Sequence, residues 1–413
     1  MRILSGRAAA ARVRKLAGRG SEFAKVDPVV RRIVSDVRRR GDPALRKYAK
    51  QWDGLQPDAS LLVAEEEMQA AWTSATPELK ASLRAAAANI RRFCNGQKPA
   101  EWTRTRNGVT VGQLVRPLES VGCYVPGGRY PLVSTLLMTV IPAQVAGVGR
   151  ISVVSPQPRA EVLAAAAMLG MREVYRIGGA QAIAALAYGT ESIPRVDKIV
   201  GPGNLYVTAA KKLVAFDCAI DFLAGPTEVV IVSDTGTPDF IASDLVAQAE
   251  HDPEALAIFI TTRENLAEHV KRSAQELSER NRVARKSLRR NGAILISSSR
   301  QESIEWANEI AAEHITVEAP DVELIRNAGS VFVGDYSPQA AGDYASGPNH
   351  VLPTGGVARF RGGLSVLDFV KLISIQKLTR PGLERIASVV ESLADTEGLR
   401  AHAESIRMRC SHA

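Results

Sequence analysis

Residues 151–203 have the sequence ISVVSPQPRAEVLAAAAMLGMREVYRIGGAQAIAALAYGTESIPRVDKIVGPG, whose pattern indicates the fold class. Short runs rich in Val and Ile alternate in it with alanine-rich stretches of helical composition. A strand, a helix and a second strand in succession form a βαβ unit, and repeated units build a mainly parallel sheet covered by helices. The stretch therefore predicts an α/β domain.

The same alternation returns farther along the chain. Stretches of helical composition separate four further β-rich runs, VVIVSD (229–234), LAIFITT (256–262), AILISS (293–298) and SVFVGD (330–335). The first helix of this set is predicted from Pro238 to His251. The sequence therefore predicts two α/β units, divided near residues 224–227.

The segments outside these units are of two kinds. Residues 1–50, 60–95 and the last forty of the chain have helical composition. Residues 336–363 are instead rich in Gly and Pro and have little periodicity. A loop of that length inside a compact protein is usually functional, so we expect part of a site there.

Composition excludes several classes of protein. Of 413 residues, 46% are apolar and 23% are charged, which is typical of a globular chain. No apolar run approaches the roughly 20 residues that span a bilayer, and the N-terminus lacks the apolar stretch of a secretory signal. No CxxC pair occurs among the four cysteines, Cys94, Cys123, Cys218 and Cys410. Neither a disulfide framework nor a cysteine zinc cluster is expected, and we predict a cytoplasmic protein without a membrane partner.

The basic charge is concentrated at the N-terminus. Residues 1–50 contain 15 Lys and Arg against 4 Asp and Glu, whereas the formal net charge of the whole chain is +8. Such a segment could bind nucleic acid. Its residue usage is that of an ordinary solvated helix, however, so we expect no nucleic-acid partner.

Two pairs of residues have side chains suited to metal binding or proton transfer. Gln248 and His251 are three residues apart on the predicted helix, which places an amide oxygen and an imidazole on one face, where they could bind zinc. Glu313 and His314 are an adjacent carboxylate and imidazole, which suits paired acid/base work. Read alone, such pairs are more often ordinary combinations of polar residues than functional ones.

Two further pairs lie near the C-terminus. Asp343 and His350 belong to the Gly/Pro-rich loop, where simple turn chemistry is the alternative interpretation. Glu397 and His402 are five residues apart and share no helix face unless Gly398 interrupts the helix. Plain surface positions are expected for the remaining histidines, His269 and His412.

Three glycine clusters follow β-like runs. They are YVPGGRYP (124–131), IGGAQA (177–182) and GPGNLYV (201–207), of which the last two lead into helical stretches. In α/β folds such turns bind phosphates through main-chain N–H groups and a helix N-terminus. None matches GxGxxG, so a standard dinucleotide fingerprint is absent.

Taken together and in order, these segments resemble the histidinol dehydrogenase family from about residue 20 to 409. The stretches that carry the resemblance are 121–148, 177–212, GPTEVVIVSD (225–234), TPDFIASDLVAQAEHDP (237–253), AAEHITVE (311–318), 326–354 and EGLRAHAESIRMR (397–409). Several are long and distinctive. The resemblance implies an enzyme that oxidises L-histidinol to L-histidine, the last step of histidine biosynthesis, by two NAD-dependent hydride transfers through a bound aldehyde.

The resemblance also implies an architecture. It comprises two Rossmann-like α/β domains without GxGxxG, in an intertwined homodimer with shared active sites. The implied segments are a helical N-terminal segment (1–19), a main catalytic and zinc-binding α/β domain (20–123 and 229–363), a second, NAD-binding α/β domain (124–228) and a helical C-terminal segment (364–413) that crosses to the partner.

Family motifs assign roles to particular positions of this chain. The implied zinc ligands, for one Zn²⁺ per subunit, are Gln248, His251, Asp343 and His402. The implied catalytic pair is Glu313 and His314. The implied NAD contacts are Tyr124, Gln181 and Asn204. The implied substrate contacts are Thr227, His314 and Glu397, besides the four metal-site residues.

The resemblance gives each catalytic side chain a task. His314 is expected to take the alcohol proton, Glu313 to activate water on the aldehyde, and Glu397 to contact the substrate ammonium. Thr227 stands where the family often has Ser, and because Thr keeps the hydroxyl we expect the contact to remain. Cys123 is expected to pack rather than to react.

A related zinc and NAD enzyme of another small polar alcohol, such as a sulfonated diol, is the alternative on the same scaffold. A sulfonate would prefer a cation where this chain has Glu397 beside His402. The sequence therefore favours a substrate that carries an amino group.

Overall fold

The computed structural model describes residues 1–20, 23–56, 58–127 and 131–411. The helices within these ranges are α1 (Gly6–Ala17), α2 (Asp27–Arg40), α3 (Asp42–Trp52), α4 (Glu65–Ser74), α5 (Pro77–Gly96), α6 (Val133–Ala146), α7 (Ala160–Met168), α8 (Gly179–Tyr188), α9 (Leu205–Val214), α10 (Pro238–Ala249), α11 (Glu264–Ser278), α12 (Arg282–Arg290), α13 (Arg300–Ile310), α14 (Gln339–Tyr344), α15 (Arg380–Thr396) and α16 (Arg400–Ser411). All of the described helices are too short or too polar to cross a bilayer.

The strands within the same ranges form three sheets. They are β1 (Arg2–Ser5), β2 (Trp102–Arg106), β3 (Val109–Pro117), β4 (Ser120–Tyr124), β5 (Arg150–Val154), β6 (Glu173–Tyr175), β7 (Lys198–Val200), β8 (Ala219–Ile220), β9 (Glu228–Val232), β10 (Leu256–Thr261), β11 (Ala293–Ile296), β12 (His314–Val317), β13 (Ser330–Val333) and β14 (Val370–Leu378).

Two of the sheets are parallel, as predicted. The larger has the strand order β1-β11-β10-β9-β12-β13, and the smaller has the order β6-β5-β4-β7-β8. The chain passes from β8 of the smaller sheet to β9 of the larger one across the predicted division at residues 224–227. The expected α/β fold is therefore confirmed.

The larger sheet is covered on both faces. Every residue of β9 and of β10 is buried, which explains why apolar residues follow one another in these strands instead of alternating with polar ones. Side chains of α10, α11 and α12 form the core on one face, and those of α1 and α13 form it on the other. The strand ends therefore project from a rigid, fully covered layer.

The smaller sheet is covered in the same way. Side chains of α2, α3, α8 and α9 pack on one face, and those of α4, α5, α6 and α7 pack on the other. Strand β4 lies between β5 and β7, so successive connections leave it in opposite directions. Such a change of direction opens a crevice at the carboxyl end of a parallel sheet, where α/β proteins bind ligands.

The structure differs from the expected content of the first two segments of the chain. The segment 1–19 is not purely helical, because β1 pairs with β11, and its Ile3 and Leu4 pack into the cores on opposite faces. Residues 20–123 do not all belong with the larger sheet, because α2 and α3 cover the smaller sheet and β4 is its central strand.

The segment 364–413 is also not purely helical. Residues 370–378 form β14, which pairs antiparallel with β3 from Val370 opposite Pro117 to Leu378 opposite Val109. The run VKLISIQKL nearly alternates apolar and polar residues, which is typical of a strand. Because two long helical sequences follow it, the whole segment has helical composition on average. Strands β2, β3 and β14 form the third sheet.

Candidate active site

The predicted acid/base pair lies at the amino end of β12. Helix α13 ends at Ile310, the next residue Ala311 has a positive φ of 50°, and the chain then turns directly into the strand. Glu313 and His314 follow, and both side chains are buried. Because β12 pairs with β9, the pair faces the first residues of β9 across the sheet.

Glu313 accepts two hydrogen bonds on one carboxylate oxygen. Its Oε2 accepts from the hydroxyl of Thr227 at 2.5 Å and from the main-chain N–H of Glu228 at 2.8 Å. The Thr227 hydroxyl in turn accepts from the amide nitrogen of Gln248. Thr227 is thus the link between a predicted metal ligand and a predicted catalytic carboxylate.

The imidazole of His314 has one fixed and one free nitrogen. Nδ1 lies 3.1 Å from the main-chain oxygen of Glu228, and because a carbonyl can only accept, Nδ1 carries the hydrogen. Nε2 is buried and has no hydrogen-bond partner among the described residues. Asp343 Oδ1 is 3.7 Å from it, which is too long for a hydrogen bond.

The two neighbouring carboxylates change the proton affinity of this imidazole. Burial alone would lower the pKa of His314, but Glu313 and Asp343 outweigh it and raise the pKa to about 10. Glu313 Oε2 is 3.5 Å from Nδ1 of the same ring. The two carboxylates therefore favour the protonated, imidazolium form of His314.

Gln248 and His251 do not lie on one helix as predicted. Gln248 lies in the last turn of α10 and is buried, but the helix ends at Ala249, so His251 follows it and is exposed. The two do not share a helical face as expected. The sequence carries no stop residue at Ala249, and such ends shift by one or two residues.

Asp343 lies on the short helix α14 rather than in a plain loop, which corrects the expectation for this residue. Burial would raise the pKa of Asp343, but the nearby His314, His350 and His251 together lower it. His350 donates from Nδ1 to the main-chain oxygen of Asp343 at 2.9 Å, and its Nε2 lies 3.4 Å from the Thr135 hydroxyl.

Glu397 and His402 lie apart from this group. Gly398, with a φ of 75°, separates α15 from α16, so the helix is interrupted there. Both side chains are exposed, and no hydrogen bond or ion pair within the described ranges joins either to the site. Across the described residues, no three His, Cys, Asp or Glu side chains gather as a metal site.

The three predicted NAD contacts do come together. Tyr124, Gln181 and Asn204 line one cavity of about 630 Å³ at the carboxyl end of the smaller sheet. The Tyr124 hydroxyl accepts from the main-chain N–H of Gly179 at 3.0 Å, and burial raises the pKa of this hydroxyl to about 12. Its own hydrogen is therefore retained and available to a ligand.

The other two contacts have distinct environments. Gln181 is buried and its Oε1 has no partner among the described residues. The side chain of Asn204 accepts from the main-chain N–H groups of Tyr206 and Val207 and so caps α9. Glycine is required at position 201, in the turn before Asn204, because an added Cβ would lie 2.2 Å from the main-chain oxygen of Tyr124.

Sequence reasoning missed residues that support both parts of the site. Arg19 forms a paired interaction with Glu228, from Nε to Oε1 at 2.6 Å and from Nη2 to Oε2 at 2.5 Å. Asp53 lines the cavity and accepts from the main-chain N–H of Gly178 at 3.0 Å. Each joins segments more than a hundred residues apart, and no local motif marks them.

The remaining sequence expectations concern packing and the surface. Cys123 is fully buried, and burial raises the pKa of its thiol to about 12, as fits a packing residue. His269 is exposed as expected. His412 and residues 128–130 of the first glycine cluster lie outside the described residues.

Comparisons with known proteins agree with one another. The family model for histidinol dehydrogenase matches residues 17–410. The histidinol dehydrogenase of Methanothermobacter thermautotrophicus is 49% identical over 391 residues, 91% of this chain and 92% of that protein. That of Methanosarcina mazei is 47% identical over 415 residues, 97% of this chain and 95% of that protein. The crystal structure of the enzyme from Elizabethkingia anophelis has a TM-score of 0.94 at 36% identity and covers 99% of this chain and 98% of that one.

Proposed function

This chain belongs to the histidinol dehydrogenase family, and we propose that it oxidises L-histidinol to L-histidine by two successive hydride transfers to NAD. Membership makes it an NAD-dependent oxidoreductase of histidine biosynthesis. The observation that carries the proposed chemistry is the buried His314 imidazole, whose Nδ1 is fixed and whose Nε2 is free, beside the Glu313 carboxylate.

His314 acts on the alcohol. Once Nε2 has lost its proton, the neutral ring keeps Nδ1–H donated to the Glu228 carbonyl, and the lone pair of Nε2 can take the proton of the substrate hydroxyl. As the O–H proton moves to Nε2, the carbon that bears this hydroxyl would lose its hydride to NAD, which leaves an aldehyde. Glu313 and Asp343 favour the imidazolium that results.

Glu313 acts on the aldehyde. Its Oε2 is occupied by Thr227 and by Glu228, whereas none of the hydrogen bonds between described residues uses Oε1. Oε1 can therefore accept a proton from a water molecule whose oxygen adds to the aldehyde carbon. The hydrate then loses its carbon-bound hydride to a second NAD, and the carboxylic acid is formed.

Zinc is the metal that the donor set would suit. The Gln248 amide nitrogen donates to Thr227, so the Gln248 side-chain oxygen is left for another partner. The imidazole of His251 and the carboxylate of Asp343 are the next two donors. These nitrogen and oxygen donors would hold one Zn²⁺ per subunit with His402 as the fourth. The ion would bind nitrogen atoms of the substrate and orient its alcohol carbon.

NAD would lie in the cavity of the smaller sheet. The cavity has the size of a small-molecule site, and Gln181 Oε1 and the Tyr124 hydroxyl each have hydrogen-bonding capacity left over. Thr227 and Glu397 would contact the substrate, and the Glu397 carboxylate would bind the substrate's ammonium group. The cofactor supplies the hydride acceptor, and the chain supplies orientation and proton transfer.

We further propose a cytoplasmic homodimer whose C-terminal segment completes the partner's site. His402 and Glu397 are exposed, although the zinc and substrate assignments require both in a site. Exposed apolar side chains occur on the same segment, at Leu372, Ile373, Val389, Leu393 and Met408. A second subunit would cover them and bring His402 to the other three ligands.

The reaction is tested by NADH formation with L-histidinol, before and after treatment with a chelator. We expect two NADH for each histidinol consumed, because the aldehyde is oxidised at the same site, and loss of activity on chelation. One NADH per histidinol would contradict the hydration role of Glu313. The comparisons do not favour the sulfonated diol, and turnover of that diol in preference to histidinol would contradict the proposal.

A further inference from the structure

The cavity of the smaller sheet has a carboxylate in its wall. Asp53 is the acidic side chain among the described residues that line it, and it is 7% exposed. It follows the end of α3 and so comes from the N-terminal part of the chain, not from a loop of the sheet. Asp53 therefore lines the same cavity as Tyr124, Gln181 and Asn204.

One oxygen of Asp53 is occupied and the other is not. Oδ2 accepts from the main-chain N–H of Gly178 and from the amide nitrogen of Gln181, both at 3.0 Å. No hydrogen bond within the described residues uses Oδ1. The carboxylate is thus held firmly by one oxygen and presents the other to the cavity.

Dinucleotide folds use a carboxylate for a particular purpose. An acidic residue at the end of the second strand of their first βαβ unit accepts hydrogen bonds from the adenosine ribose hydroxyls of NAD, and it repels the 2′-phosphate of NADP. In this chain the first βαβ unit of the smaller sheet is β4, α6 and β5. Residues 155–159 after β5 are SPQPR and include no acid, and the cavity wall holds Arg159 of this loop as well as Asp53. The side chain of Gln157, within that loop, donates instead to the main-chain oxygen of Asp53 at 2.7 Å.

The position of Asp53 indicates which half of the cofactor it meets. The reacting half must approach His314, and the cavity wall includes Pro131 and Leu132, just before α6, whose Thr135 lies 3.4 Å from His350. Asp53 is bonded instead to Gly178 and to Gln157, in the turns that follow β6 and β5. The adenosine half therefore lies at Asp53.

We propose that Asp53 Oδ1 accepts hydrogen bonds from the hydroxyls of the adenosine ribose of NAD, and that Asp53 thereby selects NAD over NADP. This inference rests on the proposed function, because it takes the cavity to be the dinucleotide site. The carboxylate supplied by the loop after the second strand in other dinucleotide folds is here supplied by the segment after α3.

The test measures binding of NADH and of NADPH to the whole enzyme by fluorescence titration, without turnover. Asp53→Asn keeps an acceptor for Gly178 but removes the charge, so the dissociation constant for NADH should rise about tenfold, as for a lost charged hydrogen bond. That for NADPH should fall, because the repulsion is gone. Asp42→Asn is the matched control, since Asp42 lies on the same helix and binds Ser192 away from the cavity, and it should change neither constant.

Several results would overturn the inference. Equal weakening of NADH and NADPH in Asp53→Asn would mean that Asp53 only holds the Gly178 turn, and unchanged constants would mean no contact. A test on the wild-type protein avoids any folding defect: NADH lacking the adenosine 2′-hydroxyl should bind about tenfold more weakly, and equal binding overturns the proposal. Wild-type protein that binds no NADH at all would overturn the proposed function as well, so the two failures are distinguishable.

Discussion

Glu228 holds His314 through its main chain, with its carbonyl oxygen 3.1 Å from Nδ1 of the imidazole. The N–H of the same residue donates to Glu313, so one peptide segment at the start of β9 orients both members of the catalytic pair. Because strands β9 and β12 pair in parallel, this orientation follows from the register of the sheet and not from side-chain packing alone. The geometry of the acid/base pair is therefore as rigid as the sheet.

Separate roles for the two residues predict separate kinetic defects. Glu313→Gln cannot activate water, so oxidation of histidinaldehyde should fall more than oxidation of histidinol to the aldehyde. His314→Asn should impair alcohol oxidation. Each loss should be about 10²–10⁴-fold, the usual effect of removing a positioned acid or base. The measurement is single-turnover NADH formation from each substrate, and a Glu313→Gln enzyme that oxidises histidinaldehyde at the wild-type rate would disprove its role.

The Arg19–Glu228 pair predicts a large loss of stability. Arg19→Ala leaves the buried Glu228 carboxylate without its cation, and breaking a buried pair in this way costs about 3–5 kcal/mol. Burial already raises the pKa of Glu228, so the loss should be greater at pH 8 than at pH 5, where the carboxyl can take up a proton. Thermal unfolding at both values measures it. Arg380→Ala, which breaks the exposed pair with Glu384, is the control and should cost under about 1 kcal/mol.

How far the fold could be predicted depends on whether its determinants are local. Apart from Glu228 and Thr261 at their ends, the interior strands β9 and β10 are apolar, and this pattern predicts parallel sheets directly. Strand β1 has four residues, and β14 precedes two helices, so neither has a pattern strong enough to outweigh its helical surroundings. Edge strands are specified by their partners, which a local window does not contain.

The site divides in the same way. Glu313 and His314 are adjacent in sequence, and their chemistry could be recognised without a fold. Asp53 is brought to Gly178, 125 positions away, by packing of the N-terminal helices on the smaller sheet. Such residues have no spacing that a sequence pattern could reveal, and only the tertiary structure identifies them.

Zinc assignment gives a direct analytical prediction. Because His251 is the one imidazole ligand that a subunit would contribute to its own site, His251→Asn should hold much less zinc than wild type after dialysis. His269→Asn is the control, since His269 is an exposed histidine on α11 and should leave the zinc content unchanged. Metal analysis of the purified proteins decides the point, and a normal zinc content in His251→Asn would place the ion elsewhere.

Asp244 predicts a change of stability with pH. Burial, and then repulsion from Asp335, raise the pKa of Asp244 from 3.8 to about 6. A carboxyl whose pKa is raised on folding favours the folded state below pH 4 relative to higher pH, and that contribution is lost as pH rises through 6. Asp244→Asn should therefore raise the melting temperature by about 1–3 °C at pH 8 and change it little at pH 4. A larger gain at pH 4 than at pH 8 would contradict the assignment.

A shared active site can be tested through His402. His402 lies on α16, which packs against α15, and it is exposed although it is assigned as a metal ligand. His251→Asn removes a ligand from the core of one chain, and His402→Asn removes one from the tail, so each homodimer should be inactive. If the tail crosses to the partner, a mixed dimer has one site with both defects and one site with neither.

Co-expression of the two variants with different affinity tags, followed by two successive purifications, isolates the mixed dimer for assay. Its activity should reach about half that of the wild-type dimer if the two sites act independently. A matched dimer of two differently tagged His251→Asn chains controls for tags and exchange, and it should stay inactive. If the tail serves its own subunit, every site in the mixed dimer carries one defect, and no activity returns. A verified mixed dimer without activity would therefore refute the crossed tail, while the zinc assignment would still rest on its own metal analysis.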